Sequence, residues 1–160
     1  YYPDDIIQHA GVVVGLGGVA AHVLCKLPRD AEGYMGRLRC VQEISAVTAA
    51  CMMVKTSVFK AVGGFDEELK VAFNDIDLCM KVRKYGVKII FTPYAELYHY
   101  ESKSRGMEDT PEKQLRFSRE VNCFRRKWER ELLKGDPYYN PNLTLNNTDC
   151  SLRKQEKNGD

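Results

Sequence analysis

The side chains best able to do chemistry lie between residues 63 and 99. They form three groups: Gly63-Gly64-Phe65-Asp66-Glu67-Glu68, Phe73-Asn74-Asp75-Ile76-Asp77-Leu78 and Tyr98-His99. A carboxylate is ionised at neutral pH and can take a proton from an attacking hydroxyl, so Asp75 and Asp77 are candidates for a general base. The same two residues also suit a purely structural role. If Asn74 caps a helix, Asp75 and Asp77 occupy its first turn, where the helix dipole favours acidic side chains and Asp77 can reach back toward the cap. Helical spacing separates them. Asp75 shares a face with Leu78, Cys79 and Val82, whereas Asp77 aligns with Lys81 and Lys84. Asp75 is therefore expected to face inward or into a cleft, and Asp77 to face outward with Lys81 as its partner. His99, between Tyr98 and Tyr100, suits either a ligand or a packing residue at a strand edge.

These residues need a scaffold. Gly11-Val12-Val13-Val14-Gly15 reads as a short buried strand, and residues 16–28 as a glycine-containing loop. The Gly15-Leu16-Gly17-Gly18 turn lacks the full dinucleotide-binding spacing. Residues 45–53, small and apolar, suit a buried strand. A helix then starts near Thr56 or Ser57 and ends at Gly63, and a second runs from Asn74 to about Tyr85 before Gly86. Residues 87–92 read as a strand with Val87, Ile89 and Phe91 on one face, followed by a short extended piece to Tyr100. The clearest helix begins with Thr110 as cap and Pro111 in its first turn. Its stripe of Phe117, Val121, Phe124, Trp128 and Leu132 gives one apolar face as far as Leu133.

The composition is that of a soluble globular chain: 160 residues, 44% hydrophobic and 29% charged, with 24 Lys and Arg against 22 Asp and Glu. That balance argues against nucleic acid as a partner, since the basic residues of the last helix are interspersed with Glu112, Glu120, Glu129 and Glu131. No apolar stretch reaches the length that spans a bilayer. The six cysteines form no C-x-x-C pair, which argues against a structural metal and favours free thiols in a reducing, cytosolic setting. Residues 144–160 are rich in Asn, Asp, Lys and Ser and suggest a loose polar tail. The two sequons at Asn142 and Asn146 have no secretory context. Tyr1 is not an initiating Met, and the first residues do not resemble a signal peptide, so the chain is expected to start inside a longer one.

In this order, the Gly-Val-Val-Val-Gly segment, Gly33-Tyr34, Ser45 to Cys51, Gly63-Gly64-Phe65-Asp66-Glu67, Asn74-Asp75-Ile76-Asp77-Leu78, Tyr98-His99 and Asp136-Pro137-Tyr138-Tyr139-Asn140-Pro141 resemble the C-terminal half of a family-two, GT-A-fold glycosyltransferase. The resemblance implies an α/β fold: the acceptor-side part of a GT-A-type domain over residues 1–143, with a mixed sheet flanked by helices and a long C-terminal amphipathic helix. It implies transfer of a sugar from a nucleotide-sugar donor to a glycan acceptor hydroxyl with inversion. Asp75 would be the base, Gly64, Phe65, Asp66, Asn74 and Asp77 the acceptor side, and His99 a residue near the metal and diphosphate. Relatives often carry Glu where this chain has Asn74, a departure that leaves the base in place. The D-x-D aspartates that hold Mg²⁺ or Mn²⁺ would lie upstream of Tyr1, so the intact enzyme is expected to use a divalent metal and the isolated chain to bind none and to be inactive. The expected setting is cytoplasmic, at the inner face of the membrane. A rival expectation is a non-catalytic binding or regulatory module that keeps the fold. Apolar surface and sheet edge left bare by a missing half favour self-association. Light scattering at high protein concentration is expected to show a species larger than the monomer, and a monomer would contradict this.

Overall fold

The computed structural model describes residues 1–100 and 110–154, which form a mixed α/β arrangement built around one short central strand. β1, Val12–Val14, is buried on both sides, and the period-two alternation of a strand divides its three valines between two cores. Val13 packs with Ile7, Leu24, Leu38, Tyr139 and Leu143. Val12 and Val14 pack with Ala46, Leu69, Ile76, Cys79, Phe124 and Trp128.

β1 pairs antiparallel with β2, Ala20–His22, through a turn at Leu16–Gly18. β2 falls in residues expected to be loop. Ala-Ala-His carries no β-branched signal, and its strand conformation comes from pairing with Val12–Val14. β3, Gln42–Glu43, pairs antiparallel with β4, Ile90–Phe91. The chain continuing from β3 links the two ribbons: Ile44 N–H donates to the Ile89 carbonyl at 3.0 Å, and Val12 N–H to the Ala46 carbonyl at 2.9 Å. All pairings among the described residues are antiparallel, so a mixed sheet is not observed there. Only the start of the expected 45–53 strand joins the sheet. Thr48 instead caps a 3-10 turn at Ala49–Cys51, and Met53 is 99% exposed.

α1, Thr56–Ala61, has no side-chain cap from Thr56 or Ser57 and ends at the Gly63-Gly64 turn. Gly64 sits at φ +63°, and a Cβ there would lie 3.1 Å from the Phe59 ring, so both conformation and space demand glycine. α2, Asn74–Lys84, takes Phe73 as its N-cap residue at φ 64° and ψ 1°, with Asn74 already helical rather than capping. The amides just before it are held from another helix: Glu120, buried, accepts from Val71 N–H at 3.1 Å and Ala72 N–H at 2.8 Å. These two bonds hold the approach to a backbone conformation that costs a non-glycine residue about 1–2 kcal/mol.

α3, Pro111–Lys127, starts as expected, with Thr110 Oγ1 accepting from Lys113 N–H. The expected single helix breaks at Trp128 and resumes as α4, Glu129–Lys134. Of the apolar stripe, Phe124 and Trp128 are buried, Val121 and Leu132 pack at the margin of the core, and Phe117 stays partly exposed. Residues after 143 do not form the expected loose tail over their described length. Thr144 N–H donates to Ser151 O at 2.9 Å and Arg153 N–H to Asn142 O at 2.8 Å, while Leu24 and Gly17 donate to Thr148 O and Leu145 O. Backbone pairing and the buried Leu143 and Cys150 hold this polar segment against the first core, a contribution that composition does not register. Residues 155–160 of that expectation lie outside the described residues. No helix among the described residues is long and apolar enough to cross a membrane.

Glu120→Gln keeps one acceptor oxygen, so one bond survives without its charge and the other N–H is left facing an NH₂ donor. Urea denaturation is expected to show a loss of about 1.5–3 kcal/mol, and an unchanged stability would refute the anchoring role.

Candidate active site

A cleft of about 840 Å³ opens beside α2. Its walls come from the loop leading into α1, the Leu78, Cys79 and Val82 side of α2, residues 87–93, and polar residues that include Gln8, His9, Arg29, Glu96 and His99. A smaller hollow of about 430 Å³ is lined by Phe65, Asp66, Glu67, Leu69, Lys70 and Asn74.

Asp75 itself lines neither hollow but is tied to the edge of each. Its Oδ2 accepts from Ala49 N–H at 3.0 Å, and Ala49 is part of the larger cleft's wall; its Oδ1 accepts from Ile76 N–H at 2.9 Å. Its neighbour Asn74 lines the smaller hollow. Each carboxylate oxygen has two lone pairs, so one backbone bond apiece leaves acceptor capacity on both.

Asp77 is not where helical spacing puts it. It is 0% exposed and lines neither hollow. Its Oδ1 accepts from the Trp128 indole N–H at 2.8 Å and pairs with Lys127 Nζ at 2.8 Å. Its Oδ2 lies 3.2 Å from Lys81 Nζ, an ion pair without hydrogen-bond geometry. The Lys81 partner is as expected; the outward direction is not. The spacing rule assumes one covered face, and α2 is covered on two, with Ile76 to Met80 and Val82 all buried.

The glycine-rich loop is tied to the same cations. Lys81 Nζ donates to the Gly64 carbonyl, and Lys127 pairs with Asp66. Asp66 Oδ1 also accepts from Glu68 N–H at 3.0 Å, the turn-capping role open to it in the sequence. The Lys127 ammonium, and then the Glu68 amide, hold the Asp66 carboxyl below the usual range. Phe65 packs edge-on against Phe59, with ring centroids 5.5 Å apart, and remains 47% exposed. Gly64, Phe65, Asp66 and Asn74 therefore cluster around or beside the smaller hollow, while His99 lines the larger one.

His99 Nδ1 lies 2.9 Å from Gln8 Oε1, and its backbone N–H donates to Tyr1 O at 2.9 Å. The preceding residues are clamped by Arg29, which pairs with Asp5 and Glu96 and stacks over the Tyr1 ring at 4.7 Å. Among the described residues no three His, Cys, Asp or Glu side chains gather as a metal site. All six cysteines are free, and burial pushes the cleft-wall Cys79 thiol up to about 11.

The spacing argument overlooks Gln8, His9, Glu120 and Lys127. His9 Nε2 accepts from Thr48 N–H at 3.3 Å, and its ring meets that of His22 edge-on, with centroids 4.9 Å apart. Burial, then the neighbouring His22, pushes His9 down to about 3 from 6.5. The unfolded chain therefore takes up this proton first. Stability from a neutral His9 is complete above pH 6.5 and falls toward pH 3, by at most about 1.4 kcal/mol per pH unit for one proton. Depressed carboxylates such as Asp66 act only below about pH 4. Urea midpoints are expected to drop between pH 7 and pH 5, with the drop reduced in His9→Gln; identical pH profiles would contradict the buried neutral state.

No family model matches the chain, and no solved structure matches it. It is 57% identical over 95% of its length to an uncharacterized protein of Sinorhizobium fredii, covering 17% of that protein. It is 37% identical over 99% of its length to the O-antigen biosynthesis protein RfbC of Myxococcus xanthus, covering 12% of it. A 62-residue stretch is 34% identical to an N-acetylglucosaminyl-diphospho-decaprenol L-rhamnosyltransferase of Mycobacterium tuberculosis, covering 39% of the chain and 20% of the relative. The chain thus spans a fifth or less of the length of these curated relatives.

Proposed function

We propose that the chain is the acceptor-side part of a glycosyltransferase of polysaccharide synthesis, of the family-two, GT-A kind, which transfers a sugar from a nucleotide-sugar donor to a glycan hydroxyl with inversion. The similarities to an O-antigen biosynthesis protein and to a rhamnosyltransferase support the transferase class. The observation that carries the reading is the position of Asp75, bonded to the wall of a large cleft and adjacent in sequence to a residue of a smaller hollow.

A single displacement with inversion needs the acceptor hydroxyl within reach of both the base and the donor's anomeric carbon, with the leaving diphosphate on the far side of that carbon. The larger cleft suits the donor. The smaller hollow suits an acceptor sugar, with the exposed Phe65 ring for its apolar face and Lys70, Glu67 and Asn74 for its hydroxyls. As the acceptor oxygen bonds to the anomeric carbon, the bond from that carbon to the diphosphate breaks and the nucleoside diphosphate leaves from the opposite face. The acceptor proton passes to an Asp75 oxygen, while the Ala49 and Ile76 amides hold the carboxylate in place. Asp77 belongs to the support of α2 rather than to the acceptor side, and Asp66, with one oxygen bonded to the Glu68 amide and the other to Lys127, reaches the acceptor only through the remaining lone pairs of those oxygens.

A divalent metal, when bound, neutralises charge on the departing diphosphate. His99 fits as one ligand from this chain, because it lines the larger cleft and its Nδ1 is engaged by Gln8, which makes Nε2 the nitrogen that would hold the ion. The other ligands would come from the diphosphate and from aspartates outside these residues. A nucleotide-sugar donor places the reaction in the cytoplasm, at the inner membrane face where polysaccharide acceptors are carried.

In the longer protein, Asp75→Asn is expected to lower turnover by about 10²- to 10⁴-fold, the usual worth of a general base, with donor affinity unchanged. Turnover within a few-fold of wild type would place the base elsewhere.

A further inference from the structure

The chain has three histidines, and all three meet at residues 8 and 9. The backbone carbonyl of Gln8 lies 3.1 Å from His22 Nδ1, its side-chain Oε1 lies 2.9 Å from His99 Nδ1, and the next residue is His9. Gln8 itself is buried and is one of the residues that line the larger cleft. A neutral imidazole carries one proton, and the partner of one ring nitrogen decides which nitrogen keeps it. A carbonyl oxygen is an acceptor only, so a carbonyl facing Nδ1 requires Nδ1–H and leaves the electron pair on Nε2.

We propose that Gln8 is a positioning residue for His99. Its side-chain carbonyl accepts the Nδ1 proton, holds the ring in the Nδ1–H tautomer and so presents an unprotonated Nε2 to the cleft as an electron-pair donor for a divalent cation. Two further contacts keep the imidazole at this setting. The His99 backbone amide is bonded to Tyr1 O, and Arg29 clamps Glu96 and the Tyr98 hydroxyl on the same segment. The burial of Gln8 reduces competition from water for its carbonyl. Ring orientation and tautomer set by an outer partner are what a metal-binding imidazole requires.

The cation as ligand follows from the glycosyltransferase proposal; the tautomer does not. The two are tested separately in the full 160-residue chain, labelled with ¹⁵N. Long-range ¹H–¹⁵N correlation at pH 7.5, without metal or substrate, is expected to show His99 with a protonated Nδ1 and an unprotonated Nε2. Gln8→Leu is expected to lose that preference. Gln8→Glu, which keeps an acceptor oxygen, is expected to retain it. A protonated Nε2 in the wild type, or the same tautomer in Gln8→Leu with native dispersion intact, overturns the proposal.

Added Mn²⁺ reads the second half. Because the isolated chain lacks the other ligands, the ion is added as its complex with pyrophosphate, which stands in for the donor's diphosphate. Broadening of the His99 ring signals is expected in the wild type, and Gln8→Leu is expected to need about tenfold more of the complex for the same effect. Equal broadening in both proteins, or none in the wild type, overturns the metal-presenting role. Sugar transfer by the longer enzyme enters neither readout, so an inactive enzyme would fail the functional proposal without touching the tautomer.

Discussion

Asp77 is a carboxylate with no solvent exposure, held between two ammonium groups and an indole N–H, and the arrangement of the helices depends on it. Burying a charge is tolerable only when its partners are close and well placed, and removing one partner strands the rest. Lys81 comes from one turn further along α2, Lys127 from the end of α3, and Trp128 from the break before α4. One side chain thereby fixes how α2 lies against the C-terminal helices. Lys127 is itself partly buried; against the burial that draws it down, the Asp66 and Asp77 carboxylates keep its ammonium above the ordinary lysine value.

The same cations reach the candidate site. Lys81 also holds the Gly64 carbonyl, and Lys127 also holds Asp66, so the loop bordering the small hollow is tied to the element that presents Asp75. Glu120 adds a second anchor from α3 to the amides before α2. With the N-terminus of α2 fixed from both directions, Asp75 can keep its bond to the Ala49 amide at the cleft wall. The left-handed Phe73 between these anchors is stabilised by its surroundings, including ring contacts with Phe117 and Phe124 at 5.8 and 5.3 Å.

Much of this was legible in the sequence where a signal is local. Val12–Val14, the Gly63-Gly64 turn, the Thr110-Pro111 start and the buried Phe124 and Trp128 follow from β-branching, glycine conformation, capping and helical spacing. Contributions between distant segments were not legible. β2 has no propensity of its own, and the polar residues after 143 are held by backbone bonds that composition does not encode. Asp77 and Glu120 have the spacing of surface residues and are buried because a second element covers their face. Gln8 and His99 meet across 91 positions, and neither residue announces the other.

The central physical claim is that the Asp77 cluster holds α2, and with it Asp75, in place. Urea denaturation of Asp77→Asn measures it most directly, since the amide keeps the shape and removes the charge. A loss of about 3–5 kcal/mol, the scale for breaking a buried ion pair, is the expected result. A loss below about 1 kcal/mol, the scale of an exposed pair, would contradict it.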